Sequence, residues 1–212
     1  MQSLNNGIDA LIDAADKALK TLTSESMAHR PSPAENIAST KLSQKDRFES
    51  IRLMRVNHSG EISAQALYRG QSIFARSAST KRHLLLAAEE EQDHLAWCSE
   101  RLKQLGGRPS VLDPIWYTGS FMIGMMAGAA GDSISLGFVA ETERQVEAHL
   151  EDHLSRLPQA DTKSSSILKK MVEDEAHHGT TATLAGGISL PQPIRSAMGI
   201  GGNLLRRLSM LG

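Results

Sequence analysis

One cysteine, Cys98, in 212 residues permits no intrachain disulfide and excludes a structural zinc site built on thiolates. Aromatic residues make up only 4% of the chain, too few for aromatic-rich strands or a base-stacking platform. Neither charge sign dominates. The 23 Lys and Arg face 24 Asp and Glu, a formal net charge of -1, so no global positive field is present to hold a nucleic-acid backbone. No glycine-rich dinucleotide motif follows a strand pattern, so any electrons for redox chemistry come from outside the chain. The opening MQSLNNGIDALIDAADKALK has no basic segment followed by an apolar run and carries Asp9, Asp13 and Asp16. It reads as a poor signal or transit peptide, and cytoplasmic residence is the expectation.

What remains is a foldable chain, 40% hydrophobic and 22% charged, of a size that suits one domain over residues 1–212. From Leu4 to Leu22 apolar residues recur at steps of three and four, predicting a short amphipathic helix with an acidic outer face. The stretch SESMAHRPSPAENIAST, with Pro31 and Pro33, predicts an irregular connection or flap. Core helices follow over about 43–77, 80–105, 133–157 and 161–185. Thr40 or Ser43 is the expected cap of the first and Ser79 or Thr80 of the second, which stops at Gly106–Gly107. Asp113–Pro114 signals a further helix, apolar and glycine-rich, over about 114–130. Its apolar part, Ile115 to Gly131, has 17 residues, short of the roughly 20 that span a bilayer, and Asp132 follows at once. Beta-branched residues never gather into an alternating strand, so the expected class is all-α: a four-helix bundle with extra N-terminal, central apolar and C-terminal helical segments. Gly60, inside the first core helix, costs about 1 kcal/mol relative to alanine; it either admits a close neighbour or is tolerated.

Two core helices carry an acidic residue three before a histidine: EEEQDH gives Glu91 and His94, and EDEAHH gives Glu175 and His178. Residues three apart share a helix face, so a carboxylate and an imidazole can converge on one ion. The helix before each pair adds another glutamate, Glu61 and Glu143, so that 30 residues separate Glu61 from Glu91 and 32 separate Glu143 from Glu175. This near-repeat predicts two helical hairpins that bring four carboxylates and two imidazoles to the bundle centre, the ligand set of ferritin-like di-iron or di-manganese proteins. Four buried carboxylates would repel one another, and two divalent cations neutralise them. On helix spacing Glu91 and Glu175 are the natural bridging ligands, with Glu61 and Glu143 terminal. Glu141, Glu147, His149 and His153 are alternatives. Candidates to hold the free ring nitrogens of the two histidines are Glu90, Asp93, Asp174, His58 and His149. Cys98, beside Trp97, reads as buried filler.

The blocks LMRVNHSGEISAQALYRGQ, EEEQDHLAWCSERLKQLGGRPS, GFVAETERQVEAHLEDHL and DEAHHGTTA closely resemble the bacterial demethoxyubiquinone hydroxylases, the di-iron monooxygenases of ubiquinone biosynthesis. The resemblance covers nearly everything from Phe48 onward. It implies a ferritin-like fold and the same six ligands: Glu61, Glu91, His94, Glu143, Glu175 and His178. It further implies two iron ions, dioxygen, a polyprenylated methoxy-methyl-benzoquinol substrate and an external reductant, NADH. Implied partners are the membrane surface, on its cytoplasmic face, and proteins of the same pathway. Two readings of Ile115 to Gly131 follow, a buried helix whose small residues allow close packing or an apolar surface dipping into one leaflet. Arg195, Arg206 and Arg207, beside Ile194, Met198, Ile200, Leu204, Leu205, Leu208 and Leu211, make a basic amphipathic tail that suits anionic lipid or its own domain. The competing readings are a soluble ferritin-like protein that oxidises iron or reduces peroxide, and a metal-free helical scaffold.

Overall fold

The computed structural model describes Asp16, Thr21 and residues 27–211. Among the described residues there are six helices longer than one turn and no strand: α1 (Gln44–Phe74), α2 (Ala78–Leu105), α3 (Asp113–Ala129), α4 (Asp132–Arg156), α5 (Thr162–Leu184) and α6 (Gln192–Ser209). The helix expected over Leu4 to Leu22 lies almost wholly outside the described residues, of which Asp16 and Thr21 are helical.

Local chemistry sets most boundaries. Ser43 caps α1, its hydroxyl accepting from the Asp46 N–H at 3.1 Å. Gly106, at φ 73, ends α2 in a left-handed turn in which the Gly107 N–H reaches the Leu102 carbonyl at 2.8 Å. Pro114 opens α3, and Asp161 caps α5 by accepting from the Ser164 N–H at 3.0 Å. The cap of α2 is Ser77, neither Ser79 nor Thr80. Its hydroxyl accepts from the Thr80 N–H at 3.0 Å, and Asp132 at the start of α4 accepts from the backbone N–H groups of Arg76 and Ser77, each at 2.9 Å. A contact from another helix thus selects among three capping residues within four positions.

α1 pairs with α2 and α4 with α5, and the two hairpins meet through α2 with α5 and α1 with α4. The central apolar helix, α3, lies along α1. A Cβ built on Gly124 would lie 2.1 Å from the Leu67 carbonyl oxygen, one on Gly128 2.6 Å from that of Gln71, and one on Gly70 of α1 2.3 Å from that of Phe121. Glycine at these three positions lets the two backbones touch. Gly60 has no such role, since a Cβ there meets nothing within 4 Å. The opposite side of α3 leaves Ile115, Met122, Ile123 and Met126 exposed, so this helix is both a close-packing element and an apolar surface.

Two apolar layers fill the bundle. One joins Met54, Trp97, Leu102, Leu150, Ile167 and Met171; the other joins Leu67, Tyr68, Leu84, Ala88, Val139 and Ala182. On each of α1, α2, α4 and α5 a glutamate stands between the residues of these layers: Glu61, Glu91, Glu143 and Glu175. The acidic centre is therefore a polar stratum between two dry ones.

Candidate metal centre

The six residues expected from the near-repeat are all buried and converge, with His94 no more than 0% exposed and His178 5%. Ligand atoms of Glu61, Glu91, His94 and Glu175 lie within 4.8 Å of one another, as do those of Glu91, Glu143, Glu175 and His178. Glu91 and Glu175 belong to both groups. The Nδ1 of His94 is 3.0 Å from Glu91 Oε2, 3.2 Å from Glu175 Oε1 and 3.6 Å from Glu61 Oε2. The Nδ1 of His178 is 3.3 Å from Glu91 Oε1, 3.3 Å from Glu175 Oε2 and 3.8 Å from Glu143 Oε1. Each shared carboxylate thus turns one oxygen to each imidazole, while Glu61 serves only the first and Glu143 only the second.

The imidazoles are oriented from behind. His94 Nε2 lies 3.0 Å from Asp174 Oδ2, and His178 Nε2 hydrogen-bonds Glu90. With the ring N–H donated to a carboxylate, Nδ1 is free to point at the cluster, the usual arrangement of a metal-ligating histidine. The other candidates for that task lie elsewhere. Asp93 accepts from the His29 N–H and from Arg30, and His58 sits 3.2 Å from Asp113 at the head of α3. His149 stacks edge-on with His153, their ring centroids 5.2 Å apart. Of the alternative ligands, Glu141 accepts from Arg144 and Gln145, and Glu147 lines a groove beside α5. Cys98 is buried against Met171, and burial pushes its thiol up.

Two contributors escape the sequence pattern. Tyr68, two turns beyond Glu61 on α1, donates its phenolic O–H to Glu143 of the other hairpin. Arg30, in the irregular segment before α1, reaches Asp93 and Asp174. That segment is accordingly tied to the bundle, and Ala34 within it is buried in the core.

Electrostatics shows what the cluster needs. Burial drives Glu61 and Glu143 well above the usual carboxylate range, with the neighbouring carboxylates adding to the shift. Burial would raise Glu91 too, but the two imidazoles beside it, His178 and His94, outweigh burial and hold this carboxyl low. Desolvation opposes charge on both histidines, and the surrounding carboxylates override it, raising His94 and His178 above the ordinary imidazole range. Three buried oxygens, Glu91 Oε1, Glu143 Oε2 and Glu175 Oε1, still have no hydrogen-bond partner among the described residues. Such orphaned acceptors are costly unless a cation satisfies them. Four carboxylates, two imidazoles and no thiolate form a donor set suited to two divalent ions such as iron or manganese.

A groove of about 510 Å³ runs beside the cluster between α4, α5 and the turn after α5, with Glu175 among its lining residues. Ala140, Ala176 and Gly179 are the small residues of its walls, and Glu141, Arg144 and Arg195 give it a polar part.

Comparison with known proteins bears directly on this site. The family model described as Ubiquinone biosynthesis protein COQ7 matches residues 49–205, a span that contains all six converging residues. A Ralstonia pickettii (strain 12J) protein named 3-demethoxyubiquinol 3-hydroxylase is 52% identical, with 90% of this chain and 93% of its own covered. Proteins of the same name from Legionella pneumophila (strain Corby) and Xanthomonas axonopodis pv. citri (strain 306) are 52% and 48% identical. They cover 95% and 97% of this chain, and 96% and 95% of their own.

Proposed function

The chain belongs to the COQ7 family of ubiquinone biosynthesis proteins, and from that membership we propose its reaction and the residues that carry it. It is a ferritin-like oxidoreductase of ubiquinone biosynthesis, a 3-demethoxyubiquinol 3-hydroxylase. The substrate is a polyprenylated benzoquinol, 5-methoxy-2-methyl-3-polyprenyl-1,4-benzoquinol, and its unsubstituted ring carbon exchanges C–H for C–OH. One atom of dioxygen enters the ring and the other leaves as water. Two electrons and one proton come from an external reductant, NADH, and the second proton comes from solvent.

Two iron ions would be held by Glu61 and His94 on one side, by Glu143 and His178 on the other, and by Glu91 and Glu175 between them. Bound there, they supply the activation of dioxygen. The chain's own residues do the rest. Asp174 and Glu90 fix the rings of His94 and His178, Tyr68 holds Glu143, and the apolar layers keep water from the centre. The quinol ring approaches through the groove that Glu175 lines, where the small side chains leave room for a flat ring.

One observation carries this reading: Glu91 and Glu175 each divide their two oxygens between two histidines. Anaerobic reconstitution with ferrous iron, followed by a demethoxyquinol, a reductant and dioxygen, tests it. About two iron atoms per chain and a hydroxylated quinol are expected. Iron that binds without supporting hydroxylation overturns the reaction, and a chain that takes up no iron overturns the centre.

Among the described residues no helix is long and apolar enough to cross a membrane. A polyprenyl substrate dissolves in the bilayer, so the same reading has the protein working peripherally, on the cytoplasmic face and among other proteins of its pathway. The exposed apolar residues of α3 and α6 support that reading.

A further inference from the structure

The two halves of the centre are built alike but braced differently. Behind His94 the carboxylate of Asp174 is only 13% exposed, and both its oxygens are engaged by cations: Oδ2 accepts from Arg30 Nη1 at 2.9 Å and Oδ1 lies 2.8 Å from Lys170 Nζ. Behind His178 the carboxylate of Glu90 is 51% exposed, and among the described residues no Lys or Arg hydrogen-bonds it.

Lys170 lies on the same helix as Asp174, whereas Arg30 ties Asp174 to a second helix. Its Nε donates to Asp93 Oδ2 at 2.6 Å while its Nη1 donates to Asp174, so one planar guanidinium bridges α2 and α5 across the back of His94. Nη2 lies 3.5 Å from His94 Nε2 itself. The guanidinium also covers the Trp97 ring, 5.0 Å from its centroid, and that ring is 5.4 Å from the His94 ring. The backbone joins in: the His29 N–H donates to Asp93 Oδ1 at 2.6 Å, and the Arg30 carbonyl accepts from Trp97 Nε1 at 3.4 Å. A lysine has no such fork and reaches only one of the two carboxylates.

We infer that Arg30 is a positioning residue for one half of the centre: it locks Asp174 onto His94, and so makes metal retention at the Glu61–His94 position depend on the segment before α1. The Glu143–His178 position, braced by the exposed Glu90, which Arg30 does not hydrogen-bond, depends on it far less. This inference rests on the two-metal reading of the site. Arg30 touches neither ion nor substrate; it acts through Asp174 on the orientation of the His94 ring. Loss of a partner behind a ligating histidine typically weakens metal binding by about 10–100-fold.

The test is anaerobic titration of the metal-free full chain with Co(II), followed by visible absorption and equilibrium dialysis. Wild type is compared with Arg30→Met, which keeps the stem over Trp97, and with Arg30→Lys. Wild type takes up two equivalents. Arg30→Met should bind one of them at least about tenfold more weakly with an altered spectrum, change the other far less, and be partly rescued by lysine. The position is read by combination: Arg30→Met should weaken the ion that remains in a Glu143→Gln background at least about tenfold more than the one that remains in a Glu61→Gln background. Thermal melting of the metal-free variants supplies the structural readout. A lowered melting temperature with both Co(II) equivalents at wild-type affinity and spectrum makes Arg30 a fold-stabilising residue and overturns the inference. A wild type that takes up no Co(II) overturns the two-metal reading and this inference with it.

Discussion

Glu91 and Glu175 stand opposite each other between His94 and His178, and each gives one carboxylate oxygen to either ring. Two helices from different hairpins therefore share the same two imidazoles. The bundle centre is closed by side chains that could hold a metal ion, and burial leaves three of the glutamate oxygens without a hydrogen-bond partner.

Sharing makes the ligands unequal. On the proposed two-metal reading, Glu91→Gln or Glu175→Gln should weaken both positions and leave less than one ion per chain after anaerobic dialysis, whereas Glu61→Gln or Glu143→Gln should leave about one. Metal content by elemental analysis decides it. A Glu143→Ala variant that keeps both ions with unchanged spectra would remove Glu143 from the ligand set.

Two glycines on neighbouring helices should respond oppositely to alanine. At Gly60 nothing lies within 4 Å of the added Cβ, so Gly60→Ala gains helix propensity and stabilises by up to about 1 kcal/mol. At Gly124 the Cβ would come within 2.1 Å of the Leu67 carbonyl oxygen, and backbone cannot yield as a side chain can. Gly124→Ala must prise α3 from α1, a cost of about 1–3 kcal/mol or more. Urea unfolding at pH 7 measures both, and equal shifts would refute the close-packed contact.

These glycines mark where the sequence stops being legible. Ser43, Gly106, Pro114 and Asp161 end or begin helices through bonds within a turn, so local pattern suffices for them. The convergence of the Glu and His near-repeat is legible for the same reason, since three-residue spacing and helix order decide which faces meet. Which glycine touches a neighbouring backbone depends on the crossing of two helices, and sequence alone offers Gly60 as readily as Gly124. The cap at Ser77 is chosen by Asp132, 55 residues away. Arg30 sits in a segment without periodicity, and Tyr68 shares the face of Glu61 yet serves Glu143, so neither role has a local signal.

Acid should act on the fold through a pair of histidines outside the metal cluster. His153 is buried, with Nδ1 2.8 Å from Asn57 Oδ1, and His149 packs edge-on against it. Burial, reinforced by Arg156 and Arg206, lowers His153 to about 3; burial, reinforced by His153 and Arg206, does the same to His149. In the unfolded chain each titrates near 6.5. Between these values the unfolded state binds more protons, so stability is full above about pH 6.5 and declines as pH falls toward about 3. For His153 alone the loss from pH 7 to pH 5 is about 2 kcal/mol. Metal-free His153→Gln should therefore show a shallower decline than wild type in urea unfolding across this range. Parallel pH profiles would show that His153 does not carry the acid sensitivity.

The C-terminal helix gives the peripheral-membrane reading its sharpest test. Ile200 and Leu204, one turn apart on α6, are 71% and 51% exposed, Arg207, also exposed, follows Ile200 by two turns, and Leu211, 81% exposed, lies just past the helix end. Apolar side chains flanked by a long basic one suit an anionic bilayer surface, where the arginine stem lies along lipid and its head group stays at the phosphates. Burying each of Ile200 and Leu204 in lipid is worth about 1.5–3 kcal/mol, so replacing both with glutamate should weaken vesicle binding by well over about tenfold. Cosedimentation with anionic vesicles at low salt measures this. Wild type should pellet with the vesicles, and Ile200→Glu/Leu204→Glu should stay in the supernatant with its metal content and melting temperature unchanged. Should wild type remain in the supernatant at low salt, or the double variant pellet equally, α6 is not the membrane-facing element.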